Sequence, residues 1–330
     1  MSLPTSPQLG WIGLGSMGLA MATNIQKHMT SNHLPALKYW NRTISRGEPL
    51  KELGGIPCQS PEELVQSCDI ILISVSDDEV LKTLINTLTS SGPITSKIFI
   101  DTTTVHPSTT ASVASIITSH SATYLAAPVF GSTPVAQAGQ LLIAIAGPAD
   151  AVSAVTPYLQ GVIARAVINV GEEPEKALLL KTTSNFITAG LMYLLSEAHT
   201  LASISDLPSG TLHTLIEHNF GAYAAGVSER LISGAYCPAP GEAPRSGLEL
   251  GIKDVGHGVN LAKEKGMKLE IGEMYLEAAG EAKKWGDMRG RRMDSSAVFG
   301  VVRERAGVGF EREIVRERDS KSEQQGEEKS

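Results

Sequence analysis

At 330 residues, with 42% hydrophobic and 19% charged side chains, the chain is long enough for about two cored domains and too apolar for a solvated, disordered polymer. A net charge of -7 gives no electrostatic support for DNA or RNA binding, and Cys58, Cys68 and Cys237 show no CxxC spacing, so neither a zinc site nor a disulfide framework is indicated. Scarce aromatics (5%) beside 32 glycines suit an α/β sheet with tight turns better than an aromatic-rich β-sandwich.

The opening "MSLPTSPQL" carries no basic residue and no apolar leader core, the last residues "EEKS" match no peroxisomal or ER-retention signal, and no run of about 18 apolar residues occurs. The expectation is a cytoplasmic chain without membrane association. From Trp11 to about Asn169, aliphatic runs alternate with helical stretches: "WIGLG", "LKYWN", "DIILISV", "KIFIDTT", "TYLAAPV", "LLIAIAG" and "ARAVIN". Continuous apolar strands of this kind are buried on both faces of a mostly parallel sheet, so residues 1–170 read as a doubly wound, Rossmann-type α/β domain.

Pro174 then opens a stretch of about 29 residues without another proline, a helix about 40 Å long. Further helical stretches around 208–234, 247–266 and 269–286 make residues 171–310 an all-α domain. The loop "YCPAPGEAPRSG" (236–247) reads as an irregular insertion. Residues 311–330, charged and poor in apolar side chains, are expected to fray from a helix into disorder.

The first strand runs into "GWIGLGSMGLAMATNIQ", a GxGxxG turn that opens a helix, the context in which this motif holds a dinucleotide pyrophosphate. Gly13 permits the tight turn, Gly15 admits the phosphates and Gly18 allows the helix to pack on the strand. Gly13, Leu14, Gly15, Ser16, Met17 and Gly18 are the expected contacts, with the helix N-terminus supplying N–H groups and partial positive charge. At the end of the second strand, where an acidic residue would bind the ribose hydroxyls of NAD, the sequence has Asn41, Arg42 and Thr43. Arg42 suits a 2′-phosphate, so NADP is favoured over NAD. The eight histidines show no metal-ligand spacing, so no metal is expected.

These residues, with others in the same order, resemble the β-hydroxyacid dehydrogenases, the superfamily of 3-hydroxyisobutyrate dehydrogenase, with imine reductases as relatives. "WIGLGSMGLAMATNI" is similar to the family's GLGxMGxxMAxNL signature, and the resemblance covers roughly residues 9–306. "DIILISVSDDEV" and "IDTTTVHPSTT" resemble its two later cofactor strands, which implies cofactor contacts at Val75, Ser76 and Thr104. "APVFGSTPVAQAGQL" is similar to APVSGGxxxAxxGxL and implies substrate contacts at Phe130, Gly131 and Ser132. "ALLLKTTSNF" resembles the KxxxN element, which implies a catalytic Lys181 with Asn185. "GIKDVGHGVNLA" resembles KDLxxA, which implies a cofactor role for Lys253 beside Asp254, and "RRMDSSAVF" is similar to the closing DxSA element.

Phe130 stands where the family serine meets the substrate carboxylate, and Ser132 replaces the second of two glycines. Lys181 and Asn185 share one face of a helix and can address one small molecule. In oxidation the hydroxyl proton needs a base, and burial beside a cationic ring favours the neutral lysine amine; in reduction the protonated lysine donates to the carbonyl oxygen. The resemblance implies an NADP-dependent oxidoreductase acting on a small 3-hydroxy acid or its oxo counterpart, and a homodimer or larger homo-oligomer. Reduction of an imine or another carbonyl by the same scaffold, and a non-catalytic NADP-binding scaffold protein, remain as alternatives.

Overall fold

The computed structural model describes residues 6–327. Two compact units divide between Lys181 and Thr182. The first contains β1 (Leu9–Ile12), α1 (Ser16–Ser31), β2 (Lys38–Trp40), α2 (Glu48–Glu52), β3 (Ile56–Pro57), α3 (Pro61–Gln66), β4 (Ile70–Ile73), α4 (Asp78–Ser90) and β5 (Ile98–Asp101). It continues through α5 (Pro107–Ser119), β6 (Thr123–Ala126), β7 (Val129–Phe130), α6 (Thr133–Gln137), β8 (Leu141–Ala146), α7 (Ala149–Leu159) and β9 (Ala164–Gly171). The short strands β3 and β7 were not among the expected runs.

The strands form one sheet in the order β3-β2-β1-β4-β5-β6-β8-β7, with β9 on β8. Pairing is parallel from β3 through β6, antiparallel around β8 with β6 and β7, and parallel again between β8 and β9. Residues in β1, β4 and β5 alternate between two cores: Leu9, Trp11, Ile70, Leu72, Ile98 and Ile100 on one face, Ile12, Ile71, Ile73 and Phe99 on the other. That period of two, with both faces apolar, is why these strands read as unbroken hydrophobic runs. "ARAVIN" departs from the expectation of burial on both faces. It forms β9 at the sheet margin, where Ile168 is 44% exposed.

Because β1, β4 and β5 run parallel with Ile12, Ile73 and Asp101 in register, their carboxyl ends share one edge. The chain leaves β1 toward β2 on one side and returns to β4 on the other. The turn after β1 therefore sits at the switch point where open α/β sheets hold ligands.

The helix α8 (Pro174–Ile204) begins in the first unit, where Ala177 and Leu178 join its core, and continues into the second. By length and composition it could cross a membrane, but 39% of its most apolar window is buried in the protein, and Lys181, Asn185, Glu197 and His199 interrupt it. The second unit adds α9 (Ser209–Ile232), broken at Gly221, then α10 (Leu248–Glu264), α11 (Glu270–Asp287), α12 (Val298–Arg305) and α13 (Glu313–Glu327). Tyr236, Tyr275, Trp285, Phe299 and Phe310 centre its core, with the Trp285 and Phe310 rings stacked 4.0 Å apart.

The loop at 236–247 is irregular, as expected, whereas the last residues depart from expectation. The loop at 236–247 is anchored: Tyr236 and Cys237 are fully buried, and Asp294 accepts the Ser246 N–H at 2.9 Å and pairs with Arg230. Residues expected to fray, apart from 328–330, which lie outside the described residues, carry α13. Arg291, only 8% exposed, draws Glu311 (3.1 Å) and Asp319 (2.8 Å) onto it, and Val315 is buried. Reading every charge as solvated missed this buried guanidinium, which needs carboxylate partners.

His199 on α8 is buried with its Nε2 2.8 Å from the Ser228 hydroxyl, which also meets His213 Nδ1 at 3.0 Å. Burial first, then the positive charge of Arg312, lowers His199 to about 4. A neutral folded imidazole that ionises on unfolding contributes stability fully present above about pH 6.5 and lost progressively as pH falls toward 4, about 3 kcal/mol in all. Thermal unfolding followed from about pH 7.5 to 4.5 should show a shallower acid loss in His199→Gln than in the wild type. Parallel pH profiles would show that His199 does not drive the loss.

Candidate cofactor and catalytic site

The β1–α1 turn is held from three sides. Gly13 has φ +97°, and a Cβ there would stand 2.1 Å from the Ser74 carbonyl at the end of β4. Its N–H donates to Trp40 O at 3.0 Å, and its carbonyl accepts the buried Trp11 indole N–H at 2.8 Å. A Cβ on Gly18 would lie 2.2 Å from that same Gly13 carbonyl, so only glycine lets α1 start this close to the turn.

Gly15 is different. It caps α1 with φ -67° and ψ 179°, a conformation open to any residue, and a Cβ there would meet nothing within 4 Å. Neither backbone strain nor internal packing requires glycine at this position. What its missing side chain leaves clear is the approach to the helix N-terminus, where Ser16, Met17 and Gly18 N–H groups precede the first helical bond, Leu19 N–H to Gly15 O at 2.8 Å. No side chain caps α1. The arrangement fits a dinucleotide pyrophosphate.

Leu14 takes a structural position instead: its side chain lies in the core and its N–H donates to Asn41 Oδ1 at 2.8 Å. Asn41 Nδ2 in turn donates to Thr43 O at 2.8 Å. Asn41 therefore splints the turn. Arg42 and Thr43 are exposed beside it, and Asn41 and Arg42 line a cleft of about 370 Å³ with Trp40, Glu48 and Lys51 among its walls. Lys51, 4.0 Å from Glu48, is a second cation at this cleft that sequence reasoning did not single out.

Beyond β4, Val75 N–H donates to Thr103 Oγ1 at 3.1 Å and the Ser76 hydroxyl donates to Asp77 at 2.6 Å. Thr104 follows directly in the loop after β5. Val75, Ser76 and Thr104 thus occupy the ends of adjacent strands on the edge that carries the glycine turn. The buried Asp101 beneath this loop was missed; an acid closing the otherwise apolar "IFID" was its available signal.

Phe130 ends β7, opposite Leu142 of β8. Gly131 turns the chain and Ser132 caps α6, which packs on α1: Asn24 Nδ2 donates to Ala136 O at 2.8 Å, and the Thr133 hydroxyl reaches the Met17 sulfur at 3.7 Å. Lys181, 9% exposed, places Nζ over the Phe130 ring, 5.0 Å from its centroid. The first unit thus links the glycine turn, the Phe130 segment and Lys181.

In the second unit, Asn185 Nδ2 donates to Asp254 Oδ2 at 2.8 Å, and Lys253 Nζ lies 3.4 Å from Asp254 Oδ1. Asn185 and Lys253 therefore meet through one carboxylate. Among the described residues no three His, Cys, Asp or Glu side chains are grouped to hold a metal ion.

Gly15→Ala should keep folding stability within about 1 kcal/mol of the wild type while weakening dinucleotide binding about tenfold or more, read by calorimetry. Gly13→Ala should instead lower the melting temperature. Undiminished affinity in Gly15→Ala would remove the pyrophosphate from this turn.

Residues 8–171 match the family described as the NAD binding domain of 6-phosphogluconate dehydrogenase. The chain is 27% identical over 300 residues to the NADH-dependent oxidoreductase ucdB of Aspergillus ustus, covering 89% of this chain and 98% of that protein. It is 28% identical over 297 residues to glyoxylate/succinic semialdehyde reductase 1 of Arabidopsis thaliana, covering 84% of this chain and 99% of that protein. Its fold matches Mycobacterium tuberculosis 3-hydroxyisobutyrate dehydrogenase, solved with L-serine, at a TM-score of 0.74 and 20% identity over 91% of this chain and 100% of that one. With the glycine turn at the switch point of a parallel sheet, these likenesses give residues 8–171 as an NAD-binding domain and the chain the fold of 3-hydroxyisobutyrate dehydrogenase, and they support an NAD(P)-dependent oxidoreductase.

Proposed function

We propose that the chain interconverts a small 3-hydroxy acid and its oxo counterpart with NADP, with Lys181 as general acid and base. The observation that carries this reading is the buried Lys181 amine over the Phe130 ring, on a segment tied through α6 to the glycine turn. When bound, the nicotinamide supplies or accepts the hydride. In reduction, Lys181 Nζ gives a proton to the carbonyl oxygen of the substrate; in oxidation it takes the hydroxyl proton back. The Phe130 face, electron-rich, steadies the cationic form of Nζ. Asn185, one helical turn after Lys181, has its Nδ2 held by Asp254, which leaves its Oδ1 as the acceptor to orient a substrate hydroxyl or the lysine.

One observation favours a second substrate class. Phe130 puts an apolar ring beside Lys181, which suits an uncharged carbonyl or imine better than a carboxylate. A panel of hydroxy acids, oxo acids, uncharged ketones and imines, followed by nicotinamide absorbance in both directions, separates the two. Lys181→Ala should lower kcat by about 100-fold or more on whichever class turns over, with cofactor affinity nearly unchanged. An unchanged kcat would sink the lysine assignment, and dinucleotide binding with no turnover across the panel would overturn the catalytic reading.

For the cofactor, the support is Arg42, exposed at the cleft with Lys51 on the same wall and no acidic side chain at the end of β2. Charge-assisted hydrogen bonds to a 2′-phosphate contribute about 1.5–3 kcal/mol each. Arg42→Gln should therefore lower kcat/KM for NADPH by about tenfold or more and leave that for NADH nearly intact. A wild type that prefers NADH, as the name of the Aspergillus ustus relative describes for that protein, would reverse this assignment.

A further inference from the structure

Asp101 closes β5 and is almost completely buried, yet its carboxylate is built into the strand-end loops. Oδ1 accepts the Thr103 N–H at 2.9 Å, and Oδ2 accepts the Tyr124 hydroxyl from β6 at 2.7 Å. The Thr103 hydroxyl oxygen in turn accepts the Val75 N–H at 3.1 Å. Thr102 adds a second seam, its N–H and its hydroxyl both donating to Ile73 O at 2.8 Å. The loop after β5 is thereby stitched to the loop after β4, and the carboxylate, through the Thr103 N–H, holds the residue at the centre of the seam.

We infer that Asp101 is a positioning residue whose charged carboxylate holds the Val75 and Thr104 loops in the form that receives the dinucleotide, making cofactor affinity depend on pH. The inference rests on the reading of Val75 and Thr104 as cofactor contacts.

A charged carboxylate accepts both donors, the Thr103 N–H and the Tyr124 hydroxyl. Once protonated, it carries a hydrogen of its own and competes with those donors for acceptors. Thr103 is then held less firmly, and Val75 N–H loses a well-placed partner. The groups that face the carboxyl are Thr103 from its own loop, Tyr124 from β6 and Asp78 from the start of α4, with Thr110 of α5 against Tyr124. Asp78 is itself engaged, accepting the His106 N–H at 2.9 Å. Burial, opposed by the Thr103 and Tyr124 hydrogen bonds and reinforced by the negative charge of Asp78, brings Asp101 up to about 6. The exchange of forms therefore falls in mildly acid solution rather than near the usual carboxylate range.

Calorimetric titration of the full chain with NAD+, which has no 2′-phosphate to titrate in this range, tests the inference from about pH 5.5 to 8. Wild-type affinity should fall about three- to fourfold from pH 7.5 to 5.5, the loss expected when a group that titrates near 6 in the free chain must be charged to bind. Asp101→Asn should bind weakly and with no inflection. Tyr124→Phe removes a donor that favours the charged form, so its inflection should move to higher pH. A flat wild-type profile, or the same inflection in Asp101→Asn, overturns the inference. If Asp101→Asn does not fold, an unmoved inflection in Tyr124→Phe overturns it equally. Absence of NAD+ binding at any pH overturns the cofactor reading itself, a result distinct from binding that ignores Asp101.

Discussion

The close approach of three backbone segments at Gly13 is the constraint from which the first unit's site follows. Its α-carbon sits against the Ser74 carbonyl, its N–H is taken by Trp40, and its own carbonyl fills the space where a Gly18 side chain would be. One peptide thereby locks the ends of β1, β2 and β4 to the start of α1. Loosen it, and the helix N-terminus, the β2 cleft and the Val75 loop lose their common reference. Two glycines serve this contact, while Gly15 serves only the space outside it. The motif thus combines two demands of different origin, internal packing and external access.

Charge is placed with the same economy. Lys181 is buried yet lies over an aromatic face, which favours its cation. Asp101 is buried yet meets donors on both oxygens. In the second unit, Arg291 gathers Glu311 and Asp319 and, through the Pro238 carbonyl at 3.0 Å, ties the proline-rich loop to the last helix. Asp101 is placed so that a proton can come and go in mildly acid solution, and Arg291 so that a charge stays. Desolvation raises the stakes in each case, and the partner chemistry decides whether the group acts as a switch or a clamp.

Much of the fold was legible because its causes are local. Apolar runs such as "IILI" and "IFID" report strands buried on both faces, and the glycine spacing reports a turn whose contacts lie within a few residues. Features arising from coincidences in space were not legible. "ARAVIN" has the composition of an inner strand, but its position at the sheet margin depends on which strands β8 leaves unpaired. The charged segment after residue 311 looks solvated until a buried arginine from another helix is placed beside it. Asp101 becomes more than a strand end only when Tyr124 and Asp78 arrive from two other elements. Lys181 and Asn185 were recognisable from ordered motifs, but not the ring beneath the lysine nor the carboxylate that holds the amide.

Asn41 carries a consequence for how this protein could change its cofactor. It occupies the place where an acidic side chain would select against a 2′-phosphate, yet its two amide atoms are both committed, the oxygen to Leu14 N–H and the nitrogen to Thr43 O. An aspartate would preserve the first bond and turn the second into repulsion between oxygens. An acidic residue at this position and the integrity of the glycine turn are therefore coupled at one side chain. Replacement of Asn41 by aspartate would require compensation at Thr43 first, which narrows the mutational paths open to the lineage.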